Sequence, residues 1–313
     1  GANTYEYADM RKGYHPDWNS YIFNYKRGEV KSFLISSARF WCDQFHIDGL
    51  RVDAVSSMLK LDYSRKEGEW EPNEFGGNGN LEAIAFIKDL NETLYRDFPA
   101  IQTIAEEATD WPGISQPTFM DGLGFGMKWM MGWMHDTLDY FKLDPLYRSG
   151  SQDKFTFSMM YYYDEHFMLP LSHDEVVHGK SPMLYKMPGD EWQKFANLRL
   201  MYTYMFTHPG AKLLFMGNEF AATQEWNYQS ELQWDLLKYE SHTGMKFCVQ
   251  QLNKLYQSHT ALYELQYDTG GFEWVETNKR QEGVLAFKRK SRDPKEEILV
   301  VFNMTPVPRH QYP

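Results

Sequence analysis

Three acidic residues each sit at or just beyond the end of a short apolar run. Asp53 closes Leu50-Arg51-Val52, Glu106 closes Thr103-Ile104-Ala105, and Asp174 follows Leu169-Pro170-Leu171-Ser172-His173. A carboxylate at the end of a buried strand is costly unless it is paired or used. Arg51 lies two residues before Asp53, and strand alternation puts both on one face. Such a partner keeps an aspartate ionised at neutral pH, as a nucleophile must be. Glu106, preceded by apolar residues and near other acids, suits the complementary role of a protonated acid with a raised pKa. One ionised carboxylate and one protonated acid are what cleavage of a glycosidic bond requires. Taken singly, each acid is better explained as a helix cap or a surface ion pair. Three strand-end acids together, with Arg51 and His173 beside two of them, favour catalysis.

The elements that must hold these residues alternate along the chain. Residues 27–45 read as an amphipathic helix, with Val30, Phe33, Leu34, Ala38, Trp41 and Phe45 at helical spacing. A buried strand over 47–52 follows, then a polar, glycine-rich loop over 64–79 and a helix over 81–98. Further strands are expected over 101–105, 126–130, 167–171 and 212–216, with helices over 133–141, 153–161, 191–206 and 243–259. Apolar strands alternating with helices indicate parallel βα units. On pattern alone this is either a doubly wound sheet or part of a (β/α)8 barrel. In both, reactive groups gather at the carboxyl ends of the strands, where these acids lie. From about residue 263 the pattern becomes antiparallel, with strands over 272–276, 283–290 and 297–303. Two domains are therefore expected, over 1–262 and 263–313. No internal repeat or low-complexity segment is present.

Composition narrows the function class. In 313 residues, 42% are apolar and 24% charged, as in a soluble globular protein. The formal net charge of −11 argues against a nucleic-acid partner or an anionic membrane surface. No apolar run is long enough to span a bilayer, and Gly1 to Tyr5 carry no signal-peptide pattern. Cys42 and Cys248 have no CxxC spacing, and buried thiols in a reducing compartment are expected. Aromatic residues reach 17%, which suits stacking on the apolar faces of sugar rings as well as ordinary core packing. The histidines are scattered, with no HExxH or His-x-His pair, so no metal site is expected. Met127, Met130, Met131 and Met134 read as core.

The segments Gly49–Asp53 (GLRVD), Ala105-Glu106-Glu107 and Leu171–Glu175 (LSHDE) resemble the second, third and fourth signature regions of the α-amylase superfamily, glycoside hydrolase family 13. The resemblance covers nearly the whole chain. Tyr63–Trp70 (YSRKEGEW), Pro72–Gly77 (PNEFGG), His173–Lys180 (HDEVVHGK) and Phe215–Phe220 (FMGNEF) are similar to stretches of bacterial 1,4-α-glucan branching enzymes that ordinary amylases do not usually carry. The resemblance implies the C-terminal part of a (β/α)8 TIM-type barrel, about strands 4 to 8, followed by the start of a small β-domain. It assigns Asp53 as nucleophile, Glu106 as general acid/base and Asp174 as transition-state stabiliser. Arg51 and His173 match the residues around the glucosyl unit in the −1 subsite. The implied reaction is retaining transfer of an α-1,4-glucan chain to a 6-hydroxyl, with an α-glucan polysaccharide as partner, no cofactor, a cytoplasmic location and a monomeric intact enzyme. Two alternatives stay open: hydrolysis by the same acids with water as acceptor, and an inactive glucan-binding fragment.

The family's first signature region has no counterpart before Tyr5, so the chain is expected to be truncated at its N-terminus and unstable or inactive by itself. Gly126 stands where many relatives carry a larger residue, which predicts a different cleft edge there. Trp70 and Trp111, in the loops after the strands of Asp53 and Glu106, are candidates for stacking on an acceptor glucan, with loop anchoring as the alternative. His178 is expected either to orient its loop or to be structural. Glu107, opposite in facing to Glu106, is expected to point outward or to support the site from behind.

Overall fold

Apolar strand and amphipathic helix alternate in the computed structural model, which describes residues 4–312. The chain folds as two compact units, one ending at Trp129 and the other beginning at Met130.

The first unit runs α1 (Met10–Gly13), β1 (Tyr14–His15), β2 (Ser20–Tyr21), α2 (Gly28–Phe45), β3 (Gly49–Val52), α3 (Val55–Leu59), α4 (Leu81–Asp97), β4 (Gln102–Ala105) and β5 (Met127–Trp129). Strands β3, β4 and β5 are parallel, with Val52 opposite Ala105 and Ala105 opposite Lys128. That register places the residues following β3 and β4, Asp53 and Glu106, side by side at one sheet edge. Helix α4 starts where Asn80 accepts a hydrogen bond from the Ala83 amide, and its Phe86, Ile87, Leu90 and Leu94 are buried. Helix α2 ends at His46, whose left-handed backbone turns the chain into β3. It buries Val30 and Cys42 and packs Leu34, Ile35 and Ala38 against the same core. Phe33, Trp41 and Phe45, expected on that face, are instead exposed. The buried stripe passes through residues 30, 34, 38 and 42, and the aromatic side chains stand one step round the helix. Trp41 and Phe45 contact each other and Phe40.

The second unit runs α5 (Met131–Lys142), α6 (Asp153–Thr156), β6 (Phe167–Leu171), α7 (Met183–Lys186), α8 (Glu191–Thr207), β7 (Ala211–Leu214), α9 (Glu240–Ser258), β8 (Phe272–Glu276), β9 (Val284–Lys290) and β10 (Glu297–Asn303). Strands β6 and β7 are parallel, whereas β8, β9 and β10 form an antiparallel meander. The helix expected over 153–161 is shorter. After Thr156 the chain tightens into 3-10 turns, consistent with the weak helix propensity of its aromatic run. The meander shares its core with the helices: Leu285, Phe287, Val300 and Phe302 pack with Trp133, Phe155 and Tyr204. Two buried arginines seal this packing by donating to main-chain carbonyls. Arg148 reaches Phe141 O and Met304 O, and Arg289 reaches Thr207 O and Leu262 O. Residues 263–312 therefore belong to the same compact unit as residues 130–262.

Met130 and Met134 are buried in the second core, and Met131 packs against it. Cys42 is buried and Cys248 half-buried, both as free thiols. No described helix is long and apolar enough to cross a membrane.

Candidate active site

In the first unit the edge beyond β3 and β4 carries Arg51, Asp53 and Glu106. Main-chain bonds interlock the two strand ends: the Glu106 amide donates to Val52 O, and the Val55 amide donates to Glu106 O. Ala54, between Asp53 and α3, holds a left-handed conformation with φ 46° and ψ 47°. Only glycine adopts this without strain. The turn aims the Ala54 amide at the Glu106 side chain, to which it donates at 2.6 Å. A strained non-glycine residue so placed is a feature of sites where the surrounding structure dictates the backbone.

One guanidinium nitrogen serves both carboxylates. Arg51 Nη2 lies 2.8 Å from Asp53 Oδ1 and 3.9 Å from Glu106 Oε2. The two oxygens are therefore no farther apart than the sum of these distances. That limit on the facing oxygens is compatible with the roughly 5–5.5 Å between carboxyl groups of a retaining pair. The Asp53 side chain is 77% exposed and Glu106 18%, so one carboxylate is open to solvent while the other is sheltered. Behind them the Arg51 guanidinium sits 4.1 Å from the centre of the Trp129 ring, a cation–π platform that fixes its orientation. Trp129 is a site residue that the sequence reading missed. Its signal was the alternation of Met127-Lys128-Trp129 in the neighbouring strand.

Glu107 is fully buried, so of its two expected placements the outward-pointing one is excluded and the one behind the site edge is what the fold adopts. It faces Lys128 of β5, with Nζ 2.7 Å from Oε2, and its other oxygen accepts from the Thr109 amide at 2.8 Å. Strand alternation puts Glu107 on the face opposite Glu106, and there the adjacent strand supplies the counter-charge. A buried carboxylate persists when it is paired in this way. Lys128 also donates to Thr109 O, so the pair fixes the start of the loop after β4.

Gly126 does not shape the site edge. A Cβ there would meet Tyr95 Oη of α4 at 2.3 Å and Gln102 Oε1 at 2.4 Å, at the far end of the strands from Glu106. Trp111 packs on the first unit's core, and its ring lies 3.5 Å from where a Cβ of Gly79 would stand, so it anchors the loop over 64–79. Trp70 is half-buried in that loop. Two aromatic residues that the sequence reading passed over stand far out in the loops after β3 and β4: Phe75 is 81% exposed and Phe119 87%.

In the second unit, His173 and Asp174 follow β6. The Ser172 hydroxyl accepts from the Asp174 amide at 3.2 Å, and His173 Nε2 lies 3.3 Å from Asp174 Oδ1. The His173 ring packs near Phe215 and Trp226. Beyond them His178 holds a left-handed backbone, and the loop is tied by Glu225, which accepts from the Gly179 and Ser181 amides at 2.9 and 2.7 Å. These main-chain donors pull the Glu225 pKa below its ordinary value. Among the described residues no group of three or more His, Cys, Asp or Glu could hold a metal ion.

Residues 19–300 match the family model of the alpha-amylase catalytic domain. The chain belongs to the alpha-amylase family. Among curated proteins it is 57% identical to the 1,4-alpha-glucan branching enzyme of Aquifex aeolicus over 312 residues, covering 100% of this chain and 49% of that protein. It is 56% identical to the 1,4-alpha-glucan branching enzyme of Albidiferax ferrireducens, covering 100% of this chain and 50% of the relative. The chain thus spans about half the length of the curated relatives it matches. Among solved structures, a cyclomaltodextrinase aligns with a TM-score of 0.62 at 18% identity, over 90% of this chain and 41% of that one. A Nostoc punctiforme debranching enzyme aligns with a TM-score of 0.63 at 15% identity, over 97% of this chain and 59% of that one. At these identities the likeness shows the fold. The parallel βα units are part of a (β/α)8-type catalytic domain, and an antiparallel sheet follows them.

Proposed function

We propose that the protein of which this chain forms part is a 1,4-α-glucan branching enzyme, with Asp53 as nucleophile and Glu106 as general acid and base. The observation that supports the chemistry is the shared Arg51 nitrogen, which gathers one exposed and one sheltered carboxylate at a separation compatible with a retaining pair. Asp53 attacks the anomeric carbon of an α-1,4-linked glucan as Glu106 protonates the departing oxygen. The glucosyl ester on Asp53 is then opened by the 6-hydroxyl of another chain, with Glu106 taking its proton. The family resemblance assigns Asp174 to stabilising the oxocarbenium-like transition state, and His173 and Arg51 to hydrogen-bonding a glucosyl unit. The choice of a sugar hydroxyl over water rests on the 56–57% identity to branching enzymes along the whole chain. In this reading Phe75 joins Trp70 as a stacking surface for acceptor glucan. The enzyme works in the cytoplasm, in glycogen synthesis, as a monomer.

The test follows new α-1,6 linkages and new reducing ends together on amylose, using the chain alone and joined to the remaining length of its relatives. Branch points without reducing ends are expected, and Asp53→Ala abolishes them. Reducing ends without branch points would overturn the transferase reading and leave a hydrolase built on the same acids.

A further inference from the structure

In the first unit, apart from the paired carboxylates, the hairpin β1–β2 and the segment after α3 enclose a cavity of about 20 Å³ open to solvent. Its wall includes Arg11, Lys12, His15, Lys60, Tyr63 and Arg65, and no carboxylate lines it. His15 is 3% exposed, and neither of its ring nitrogens has a hydrogen-bond partner. The ring is locked by stacking on Trp18, with centroids 3.7 Å apart and planes 9° from parallel. A buried polar group left in this condition is destabilising, so an imidazole at the cavity wall calls for an occupant that can hydrogen-bond.

The charges around it select the occupant. Arg11 is held by Asp9 and Glu71, and Lys60 lies 3.5 Å from the exposed Asp110. Arg65 spends its guanidinium on the carbonyls of Met10, Tyr14 and Glu69, which carry no net charge. Asp17 and Glu69 act on His15 and Arg65 without lining the cavity. A cation is disfavoured because, among the described residues, Lys12 and Arg65 have no carboxylate at ion-pair distance, and a lone water would satisfy the imidazole but leave those two charges unanswered. We propose that the cavity binds a phosphate group, free or carried by a small phosphomonoester. One oxygen enters to accept from the His15 ring N–H, and the others stay at the mouth facing Lys12 and Lys60. The tetrahedral, doubly charged group suits a hole that admits a single oxygen beneath a ring of cations. Lys60 directly follows α3, whose start is the Asp53–Ala54 turn, so occupancy would tether the far end of the helix behind the nucleophile.

The experiment is a titration of the protein with inorganic phosphate at constant ionic strength, read on the His15 imidazole resonances, which a His15→Gln variant assigns. A parallel arm uses a hexose 6-phosphate. A saturable shift is expected, with a dissociation constant about 10-fold larger in the Lys12→Met/Lys60→Met variant, corresponding to about 1.4 kcal/mol. That variant leaves the buried hairpin contacts in place. Equal affinity in both arms identifies the phosphate group as the whole ligand, and tighter hexose phosphate binding identifies a sugar phosphomonoester. A shift that chloride reproduces, no saturable shift, or an unchanged constant in the double variant would overturn the proposal and leave a water-filled cavity.

Discussion

The Arg51 guanidinium lies over the Trp129 indole at 4.1 Å, and from that platform its Nη2 reaches Asp53 Oδ1 at 2.8 Å. The stack matters because a long, flexible side chain must be held still to serve two carboxylates with one nitrogen. A cation–π contact of this kind is worth about 0.5–2 kcal/mol. Trp129→Leu, which keeps an apolar side chain under the guanidinium, is expected to lower turnover by roughly 3- to 30-fold. Circular dichroism would show an unchanged fold, and turnover equal to wild type would remove Trp129 from the site.

Arg51→Lys keeps the charge but loses the planar fork. A lysine cannot stack flat on Trp129 while facing both acids, so the carboxylates lose their common partner. Turnover on an activated α-glucosyl donor is expected to fall by about 10²-fold or more, because misplacing the reacting groups by about 1 Å costs that much. Pre-steady-state trapping separates the two steps: loss of glucosyl-enzyme formation is expected, and a loss confined to its breakdown would argue against the Arg51–Asp53 pairing.

Ala54 separates Asp53 from α3 with a backbone that favours glycine. Ala54→Gly is expected to relieve strain and raise unfolding free energy by about 0.5–1 kcal/mol. It should lower activity at the same time, because the turn that aims the Ala54 amide at Glu106 gains freedom. Ala54→Val, β-branched at the same position, is expected to destabilise. Denaturant midpoints for the pair check this, and a destabilised Ala54→Gly would show that the turn stores no strain.

How much of this could be read in advance differs by residue. Asp53, Glu106 and Arg51 were legible because strand ends and period-two facing fix them locally. The strand and helix order was legible for the same reason: β6, β8 and β10 fall where the apolar pattern placed them. What the sequence hid was packing between elements. Phe33, Trp41 and Phe45 have helical spacing with Val30, but which side of α2 is covered depends on where α4 lies. Trp129 and Lys128 matter only because β5 pairs beside β4, a register that no single strand encodes. Glu107 could be read either as outward-pointing or as supporting the site from behind, because its counter-ion stands 21 residues along the chain.

The Glu107–Lys128 pair gives a test of that hidden layer. Both groups are buried, and removing one partner strands the other charge, a cost of about 3–5 kcal/mol. Glu107→Leu alone is therefore expected to be strongly destabilising. Glu107→Leu/Lys128→Met should recover most of the loss, since an apolar pair can replace a buried ion pair. Thermal unfolding of the two variants decides the matter: a double variant no better than the single one would show that Lys128 matters for something other than this charge.

His208 sets the response of the second unit to acid. It is fully buried near Ser158 Oγ and Pro209 O, and burial, with Lys212 and Arg289 nearby, pushes its pKa down to about 3. In the unfolded chain an unperturbed histidine titrates near 6.5. A depressed folded value means the unfolded state binds the proton first, so this contribution is complete above pH about 6.5 and is lost as pH falls towards 3. Over that window the unfolding free energy should drop by up to about 1.4 kcal/mol per pH unit from this group alone. His208→Asn, a side chain that cannot titrate, should flatten that part of the profile even if it lowers stability at neutral pH. Urea midpoints measured from pH 7 to pH 4 on both proteins give the comparison. Parallel profiles would show that the acid sensitivity comes from other groups.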